Sequence, residues 1–413
     1  MNQNVQDQGV DPLLPDFRDS ATAFRHLSNR QLLFAHILFT SMTFRPLAIW
    51  GPRLLAWSLR IGLPVRPVIK RTLFKQFCGG ETLDECMAVI TDLRNMNVGT
   101  ILDYAVEGGV SASECDAAEQ EISSTIDLAS RTPSLRYAVF KCSGLIRPEI
   151  LEKVTSKFKL SEKEQEEWNL GQTRIHRLCQ TAASKNVRIF IDAEESWLQG
   201  AIDNLAESMM KAFNQQRPIV YNTLQMYRHD RLTYLEYLDK FASQHGIQVG
   251  IKLVRGAYHE KEIAWAESKG IRRPAVHRHK ADTDKVYNGA LDYIIARPNQ
   301  LHLCAATHNE VSCLHLARAL LERGHSPKSP QFEFSQLFGM GNHISFALSG
   351  KGFLVSKYLP YGPLPRVMPY LFRRAEENTS VRGQTNRELA LIRAERQRRL
   401  LAGKVPREKA AAH

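Results

Sequence analysis

From about residue 98 onward, short apolar segments rich in β-branched and aromatic residues alternate with longer segments whose apolar positions follow helical spacing. Eight of the short segments predict strands, at residues 99–106, 135–142, 187–193, 217–224, 247–254, 301–307, 331–337 and 353–359. The segments between them, such as 233–245 and 310–323, are long enough for helices. Eight alternating strand–helix units predict an α/β protein built as a (β/α)8 barrel.

A doubly wound open sheet is the alternative architecture. Such a sheet would need a glycine-rich phosphate-binding loop after its first strand. The glycine pair that comes nearest to this motif, Gly339 and Gly341, follows the seventh predicted strand, and Ile344 stands where a third glycine belongs. The barrel is therefore the preferred interpretation.

The whole chain divides into four regions by composition. We expect residues 1–20 to be disordered, 21–81 to form a helical segment and linker, 82–385 to form the barrel, and 386–413 to form a basic helix and tail. The most apolar stretch, residues 32–63, is interrupted by arginines and prolines, so it is too broken to span a bilayer. It predicts short amphipathic helices that cap the barrel or lie on a membrane surface.

The formal net charge is +12, and half of it lies in the last 32 residues, which carry nine Lys or Arg and three Glu. This segment is either a solvated helix or a contact with an anionic membrane surface. No nucleic-acid-binding motif accompanies it, so nucleic acid is not an expected partner. Seven cysteines without C-x-x-C spacing indicate reduced, mostly buried thiols. We therefore expect a cytoplasmic protein, with peripheral association with the inner membrane of a bacterium as a further option.

Polar side chains lie near the ends of nearly all the predicted strands, where the active site of a barrel is found. The candidates are Glu107, Lys141, Asp192, Gln225, Lys252, Arg255, Tyr258, Thr307, His308, Asn309 and Tyr358. Lys141 and Asp192 belong to apolar strands, so each must find a partner there. They either form a structural ion pair or take part in catalysis. No metal-ligand motif occurs, so His308 is interpreted as a hydrogen-bonding histidine and no metal is expected.

Two adjacent arginines, Arg373 and Arg374, follow an apolar aromatic segment after the last predicted strand. Tyr370, Arg374 and Glu377 have the spacing of one helix face. Two guanidinium groups directed into the barrel mouth would suit a carboxylate ligand. On a solvated helix, in contrast, they would form only a weak pair with Glu377.

Six segments together resemble the proline dehydrogenase family in its monofunctional form. They are "IDAEES", "KLVRGAY", "THN", "GM" after the seventh strand, "KYLPYGP" and "YLFRRAEEN", and they occur in the family's order between about residues 76 and 387. The resemblance implies a distorted (β/α)8 barrel that binds FAD without a glycine-rich nucleotide motif. No aldehyde dehydrogenase segment follows, so a downstream pyrroline-5-carboxylate dehydrogenase is expected as a separate chain.

The resemblance also implies roles for individual residues. Arg373 and Arg374 would bind the substrate carboxylate, held by Glu107 and Glu377. The expected pocket and catalytic residues are Lys141, Asp192, Lys252, Tyr258, Tyr358 and Tyr370. The expected FAD contacts are Gln225, Lys252, Arg255, Gly256, Ala257, Thr307, His308 and Asn309. Lys252 departs from the arginine of many bacterial members, and a lysine keeps the charge but lacks the planar fork of a guanidinium.

The implied reaction is FAD-dependent oxidation of L-proline to 1-pyrroline-5-carboxylate, with a hydride leaving C5 for flavin N5. The electrons would then pass to a membrane quinone. Tyr358 is expected to favour proline over hydroxyproline, because its phenol leaves little room for a ring hydroxyl.

On the residues alone, two other functions remain open. A Schiff-base lyase with Lys141 as nucleophile predicts a colourless protein in which borohydride traps Lys141 with a carbonyl substrate. A catalytically inactive scaffold on a membrane surface predicts liposome binding without cofactor or turnover. The absorption spectrum of the purified protein separates both from a flavoenzyme.

Overall fold

The computed structural model describes residues 12–43, 66–105, 111–380 and 384–402. Eight parallel strands close into a barrel in sequence order, with β8 paired to β1. The strands are β1 (Gly99–Tyr104), β2 (Leu135–Lys141), β3 (Arg188–Asp192), β4 (Val220–Gln225), β5 (Val249–Val254), β6 (Leu301–Ala306), β7 (Phe332–Leu337) and β8 (Val355–Tyr361). All eight predicted strands are present, which confirms the (β/α)8 barrel.

Helices precede the barrel, surround it and return over it. Before β1 lie α1 (Ser20–Phe24), α2 (Asn29–Thr43), α3 (Arg66–Ile69, continuing through a π-helical turn Lys70–Phe74 into Lys75–Phe77) and α4 (Leu83–Asn95). Around the strands lie α5 (Ala112–Arg131), α6 (Pro148–Thr155), α7 (Glu162–Ser184), α8 (Ser196–Phe213), α9 (Arg231–His245), α10 (His259–Ser268), α11 (Lys280–Ile295), α12 (Glu310–Glu322), α13 (Asn342–Gly350), α14 (Leu364–Ser380) and finally α15 (Gln384–Ala402).

Local sequence explains where these helices begin. Ser111 and Ser161 precede α5 and α7, and each forms a capping box with a glutamate three residues later. Thr82 caps α4 by accepting from the Glu85 amide. The Glu85 side chain, however, accepts from the amide of Glu81 rather than from that of Thr82.

The barrel interior has an apolar middle and polar ends. Tyr137, Phe190 and Tyr221 form an aromatic layer, with Tyr137 stacked on Phe190 at 4.2 Å between ring centroids. Below this layer, the buried Glu333 accepts from Tyr137 at 3.0 Å and from Arg136 at 3.1 Å. The amino-terminal end of the barrel is therefore closed by side chains, and the carboxyl-terminal end is left for chemistry.

The two ends of the described chain pack on each other. Arg399 of α15 donates to the carbonyl oxygens of Phe24 and Leu27, at 2.8 and 2.7 Å. Glu395 is fully buried and accepts from Arg399. The basic helix expected in residues 386–413 therefore has one packed face as well as a solvated one.

Part of the amino-terminal segment differs from the expectation of disorder. Leu14 and Phe17 are buried in the main core, and α1 begins at Ser20. Residues 1–11 lie outside the described residues. All seven cysteines are buried and free, as expected for reduced thiols. None of the described helices is both long and apolar enough to cross a bilayer.

We predict that Gly250→Ala destabilises the protein, because a Cβ atom there would lie 2.4 Å from the Tyr221 ring inside the barrel. Overpacking of this kind costs about 1–3 kcal/mol in free energy of unfolding. Denaturant unfolding measures it. The matched control is Gly289→Ala in α11, where a Cβ meets nothing within 4 Å; it should stabilise by about 0.5–1 kcal/mol. Equal effects of the two changes would contradict the tight packing of the barrel interior.

Candidate functional site

A buried carboxylate, Asp192 at the end of β3, organises the mouth of the barrel. Its Oδ1 accepts from Lys252 Nζ at 2.6 Å and from Thr223 Oγ1 at 3.2 Å, and its Oδ2 accepts from the Tyr358 hydroxyl at 2.8 Å. Four strands thus contribute to one hydrogen-bonded cluster. Asp192 and Lys252 are 7% and 5% exposed, so the pair is shielded from water.

The sequence left open whether Lys141 and Asp192 form a structural ion pair, and the structure adds a second lysine to Asp192. Asp192 forms an ion pair with Lys252, and Lys141 lies beside Asp192 in the register of β2 and β3. Lys252 also lies over the rings of Tyr358 and Phe190, at 4.4 and 5.2 Å from the centroids. Lys252 and Tyr358 are therefore brought to Asp192, as the resemblance implied, and Lys141 borders the same cluster.

Asp103 is a residue of this site that sequence analysis missed. It lies on β1 and is 3% exposed. Burial raises its pKa to about 6, and the nearby Lys141 opposes that shift. The alternation in "GTILDY" places Asp103 on the same face as the buried Ile101, and this was the signal available. Glu107, which the sequence predicts as the acidic residue of this strand, lies outside the described residues.

The arginine pair lies on α14, directly after β8. Arg374 is 6% exposed, and its guanidinium lies 5.1 Å from the ring centroid of the buried Tyr370. The charge of Arg374 also helps to lower the pKa of His308 at the end of β6, after burial as the main cause. Arg374 therefore faces the barrel mouth rather than solvent. Arg373 beside it is half-buried, and the side chain of Glu377 lies outside the described residues.

The turn after β5 is held rigidly. Gln225 of β4 donates to the Glu194 carbonyl at 2.7 Å and accepts from the Ala257 amide at 3.1 Å. Gly256 has a φ of 141°, and a Cβ there would lie 2.4 Å from the Tyr227 ring. Only glycine fits, so the backbone of this exposed turn is presented at the rim.

Arg255 is fixed by three partners. Its guanidinium donates to Asp284 at 2.6 Å, to Thr307 at 2.5 Å and to Ser312 at 2.8 Å. The turn and the end of β6 are thereby joined, and one cation is fixed at the rim. Tyr258, which follows the turn, is half-buried, with its ring centroid 6.0 Å from Lys261 Nζ.

Two residues that follow β6, His308 and Asn309, each accept a hydrogen bond from a backbone amide. His308 Nε2 accepts from the Leu337 amide at 3.1 Å, and burial holds its pKa well below the usual range. His308 is therefore a neutral imidazole with its proton on Nδ1. Asn309 caps α12 by accepting from the Ser312 amide at 3.0 Å, so its side-chain oxygen already has a structural partner.

Two further buried ionisable groups lie at this end of the barrel. Burial lowers the pKa of Lys357 to about 7, and its ammonium donates to the Met340 carbonyl. Burial likewise raises the pKa of Glu194 to about 7, and its carboxylate accepts from the Ser143 amide at 2.9 Å. Both were visible as polar residues in apolar sequence, but nothing in the sequence indicated their partners.

These residues fit a flavin nucleotide. The rim offers an exposed glycine backbone at Gly256 and a fixed cation at Arg255, which suit the close approach of an anionic cofactor. Deeper in the mouth, Lys252 adds a cation beside aromatic rings. Among the residues that the structure describes, no group of three His, Cys, Asp or Glu side chains is placed to hold a metal.

Comparison with known proteins shows the family to which this chain belongs. The family model described as Proline dehydrogenase matches residues 86–387. This chain belongs to the proline dehydrogenase family. The match covers most of the barrel and ends at Arg387, near the start of α15.

Curated relatives agree with this membership. A carbapenem antibiotics biosynthesis protein, CarD, from Pectobacterium carotovorum subsp. carotovorum is 36% identical over 79% of this chain and 84% of its own length. The mitochondrial proline dehydrogenase 1 of Dictyostelium discoideum is 31% identical, covering 92% of this chain and 75% of its own. A hydroxyproline dehydrogenase of Xenopus laevis is 31% identical, covering 85% and 80%. The family identifies the chain as an oxidoreductase acting on proline.

The fold has a solved counterpart. Proline utilization A from Bdellovibrio bacteriovorus, inactivated by N-propargylglycine, superposes with a TM-score of 0.68 at 19% identity. The superposition covers 88% of this chain but only 38% of that longer chain. At this identity the likeness concerns the barrel fold.

We predict that Lys252→Met destabilises the protein by about 3–5 kcal/mol, because it removes one partner of a buried ion pair. Urea unfolding with a two-state fit measures the change. Lys153→Met is the matched control, since Lys153 forms a 2.5 Å pair with Glu164 but is 40% exposed. That change should cost less than about 1 kcal/mol. A loss at Lys252 no larger than the loss at Lys153 would refute a desolvated pair.

Proposed function

We propose that this chain binds FAD and oxidises L-proline to 1-pyrroline-5-carboxylate, the product that the family resemblance implies. The observation that carries the proposal is the burial of the Arg374 guanidinium beside Tyr370, on the helix that follows β8. A desolvated guanidinium next to a second arginine is suited to a small carboxylate ligand. The neighbouring cluster of Asp192, Lys252 and Tyr358 supplies a polar surface for the rest of that ligand.

In this proposal the chain holds two molecules. Arg373 and Arg374 bind the proline carboxylate, and Lys141, Tyr358 and Tyr370 border the ring. The fixed turn at Arg255–Ala257, together with Thr307 and His308, holds FAD at the rim. FAD, when bound, supplies the acceptor for the hydride that leaves proline C5.

On the side where we propose that FAD binds, two of the candidate residues already hold backbone groups. The Gln225 side-chain amide donates to the Glu194 carbonyl and accepts from the Ala257 amide. We therefore propose that Gln225 supports the turn at Ala257. Asn309 supports α12 in the same way. Lys252 remains the residue that we propose tunes the flavin electrostatically. Its charge is buried against Asp192, and its ammonium lies over the Phe190 ring.

A membrane quinone is the electron acceptor that we propose, reached by peripheral contact of a cytoplasmic protein with a bacterial inner membrane. Support comes from α2, where Leu33 and Ile37 are 43% and 59% exposed. Arg399 of the basic helix α15 hydrogen-bonds the Leu27 carbonyl just before α2. An apolar face beside cationic side chains suits an anionic lipid surface.

The absorption spectrum tests the function directly. We predict that the purified protein, or the protein reconstituted with FAD, shows flavin bands that bleach anaerobically when L-proline is added. Hydroxyproline, added to the same preparation, should bleach them more slowly, because Tyr358 lies buried against Asp192 and restricts the ring. A protein that takes up no FAD, or whose flavin proline does not reduce, would refute the proposal.

We predict that Arg373→Met and Arg374→Met each lower kcat/KM for proline at least thirty-fold while FAD stays bound. Removing one member of a desolvated carboxylate contact costs about 2–5 kcal/mol, and each 1.4 kcal/mol is tenfold. Steady-state kinetics with a soluble dye acceptor provides the measurement. Proline amide, which lacks the carboxylate, should react poorly with the native protein and lose little more in the variants. Equal losses with both substrates would assign the arginines to the fold.

Membrane contact has its own test. Changing Leu33, Phe34 and Ile37 together to serine should reduce binding to anionic liposomes and turnover with a quinone, and leave turnover with a soluble dye unchanged. Phe158→Ser is the matched control, because Phe158 is 68% exposed but lies after α6 and not on α2. If the triple variant lowers both kinds of turnover equally, the exposed face of α2 is structural.

A further inference from the structure

A cavity opens at the amino-terminal end of the barrel, on the opposite side from the proposed substrate site. Its volume is about 400 Å³, within the range of pockets that hold small ligands. It lies where β2 and β3 begin and where α5 ends, and the aromatic layer of Tyr137, Phe190 and Tyr221 separates it from the barrel mouth. A ligand in this cavity would therefore not touch the molecules held at the mouth.

Four cationic side chains line the cavity, and none of its lining residues is acidic. The cations are Arg136, Lys185, Arg188 and Arg217. Part of the wall is apolar and is formed by Leu135, Val187 and Leu354. The cavity therefore combines an apolar wall with positive charge, which suits an anion that carries a small organic group.

Only two of the four positive charges are compensated by nearby acids. Lys185 pairs with Asp127 of α5 at 3.2 Å, and Arg136 pairs with the buried Glu333 at 3.1 Å. Glu333 lies 3.8 Å from Arg188 as well. One carboxylate balances the charge of only one of these two guanidinium groups, so a positive charge remains at Arg136 and Arg188.

Arg217 adds a second positive charge without an acid. It forms no ion pair within the described part of the chain, and its guanidinium donates to the Asn186 carbonyl at 3.3 Å. Desolvation, and after it the charge of Arg188, lower the pKa of Arg217, as expected for like charges close together. His302 at the same end is neutral, because burial lowers its pKa to about 4. The cavity thus keeps a surplus of two positive charges.

We propose that this cavity binds a phosphate dianion between Arg188 and Arg217, either free phosphate or the phosphate group of a small monoester. A phosphate monoester carries a charge of about −1.5 to −2 at pH 7, which matches the surplus of two positive charges. Guanidinium groups bind phosphate oxygens through paired hydrogen bonds. The apolar wall accommodates the organic part of an ester. The inference goes beyond the proposed function and requires neither FAD nor proline.

Calorimetric titration with phenyl phosphate tests the site. The protein is loaded with FAD and freed of excess FAD, so that the mouth is occupied; a protein that takes up no FAD is titrated as purified. We expect saturable binding at a single site. Phenyl sulfate has the same ring and a tetrahedral oxyanion but one charge, and it should bind at least about tenfold more weakly.

Inorganic phosphate distinguishes the two sources of the dianion. If it binds as tightly as phenyl phosphate, the site takes free phosphate. If it binds more weakly, the apolar wall contributes and the site takes a monoester. Both results support a site for a phosphate dianion.

Arg217→Gln is the variant that tests the assignment, because the side chain is exposed and the barrel should fold without it. It should weaken the binding of phenyl phosphate at least about tenfold, since one charge-assisted contact is lost. Turnover of proline with a soluble dye should stay unchanged. Arg188 is less suitable for substitution, because its guanidinium also donates to the Tyr137 hydroxyl inside the barrel, at 3.0 Å.

The matched control is Arg323→Gln. Arg323 is another exposed arginine at this end of the barrel, following α12, but it does not line the cavity. The control protein should bind phenyl phosphate as the native protein does.

Three results would overturn the proposal: a native protein that binds neither phosphate compound, an Arg217→Gln protein that binds phenyl phosphate as tightly as the native one, or equal binding of phenyl sulfate and phenyl phosphate. A flavin that proline does not reduce would instead refute the proposed function, so the two failures are distinguishable.

Discussion

A buried charge must be neutralised by protein groups, because water does not reach it. At the mouth of this barrel, those groups come together only because the eight strands close into a barrel. Asp192 lies on β3, but its donors come from β4, β5 and β8. In an open sheet β8 would be far from β3, and the Tyr358 hydroxyl would lose its acceptor. The cost of a buried charge without its partners is several kcal/mol, so the closed topology and the polar cluster stabilise each other. The Glu333 network and the aromatic layer then keep water from entering at the opposite end.

The strands were predictable because their signal is local. Each is a short run of β-branched and aromatic residues, and burial on both faces of a parallel strand leaves little ambiguity. The resemblance then placed Asp192, Lys252, Tyr358 and the arginine pair in one site, and the structure brings the first three together. The partner of Asp192 was not predictable in the same way. Adjacent strands suggested Lys141 as one option, and the structure adds the contact with Lys252 of β5, which depends on strand tilt and side-chain length.

Residue type also says little about whether a polar group is free to bind a ligand. Gln225 and Asn309 are expected to contact the cofactor, and in the structure their side chains also hold backbone groups of a turn and of a helix end. Asp103 was not predicted, because it lies within a strand and the candidate residues were those at strand ends. These assignments depend on three-dimensional hydrogen bonding, which one sequence does not encode in any local pattern.

The contacts between α15 and the first helices join residues about as far apart as the chain allows. Arg399 donates to Phe24 across 375 positions, and β1 and β8 must also pair to close the ring. During synthesis the amino-terminal helices emerge first, yet the surface they bury against does not exist until almost the whole chain has left the ribosome. Such long-range contacts slow folding and leave apolar surface exposed meanwhile. The amino-terminal helices therefore remain unpacked until α15 has been synthesised. A protein truncated before α15 would lack the surface on which they pack.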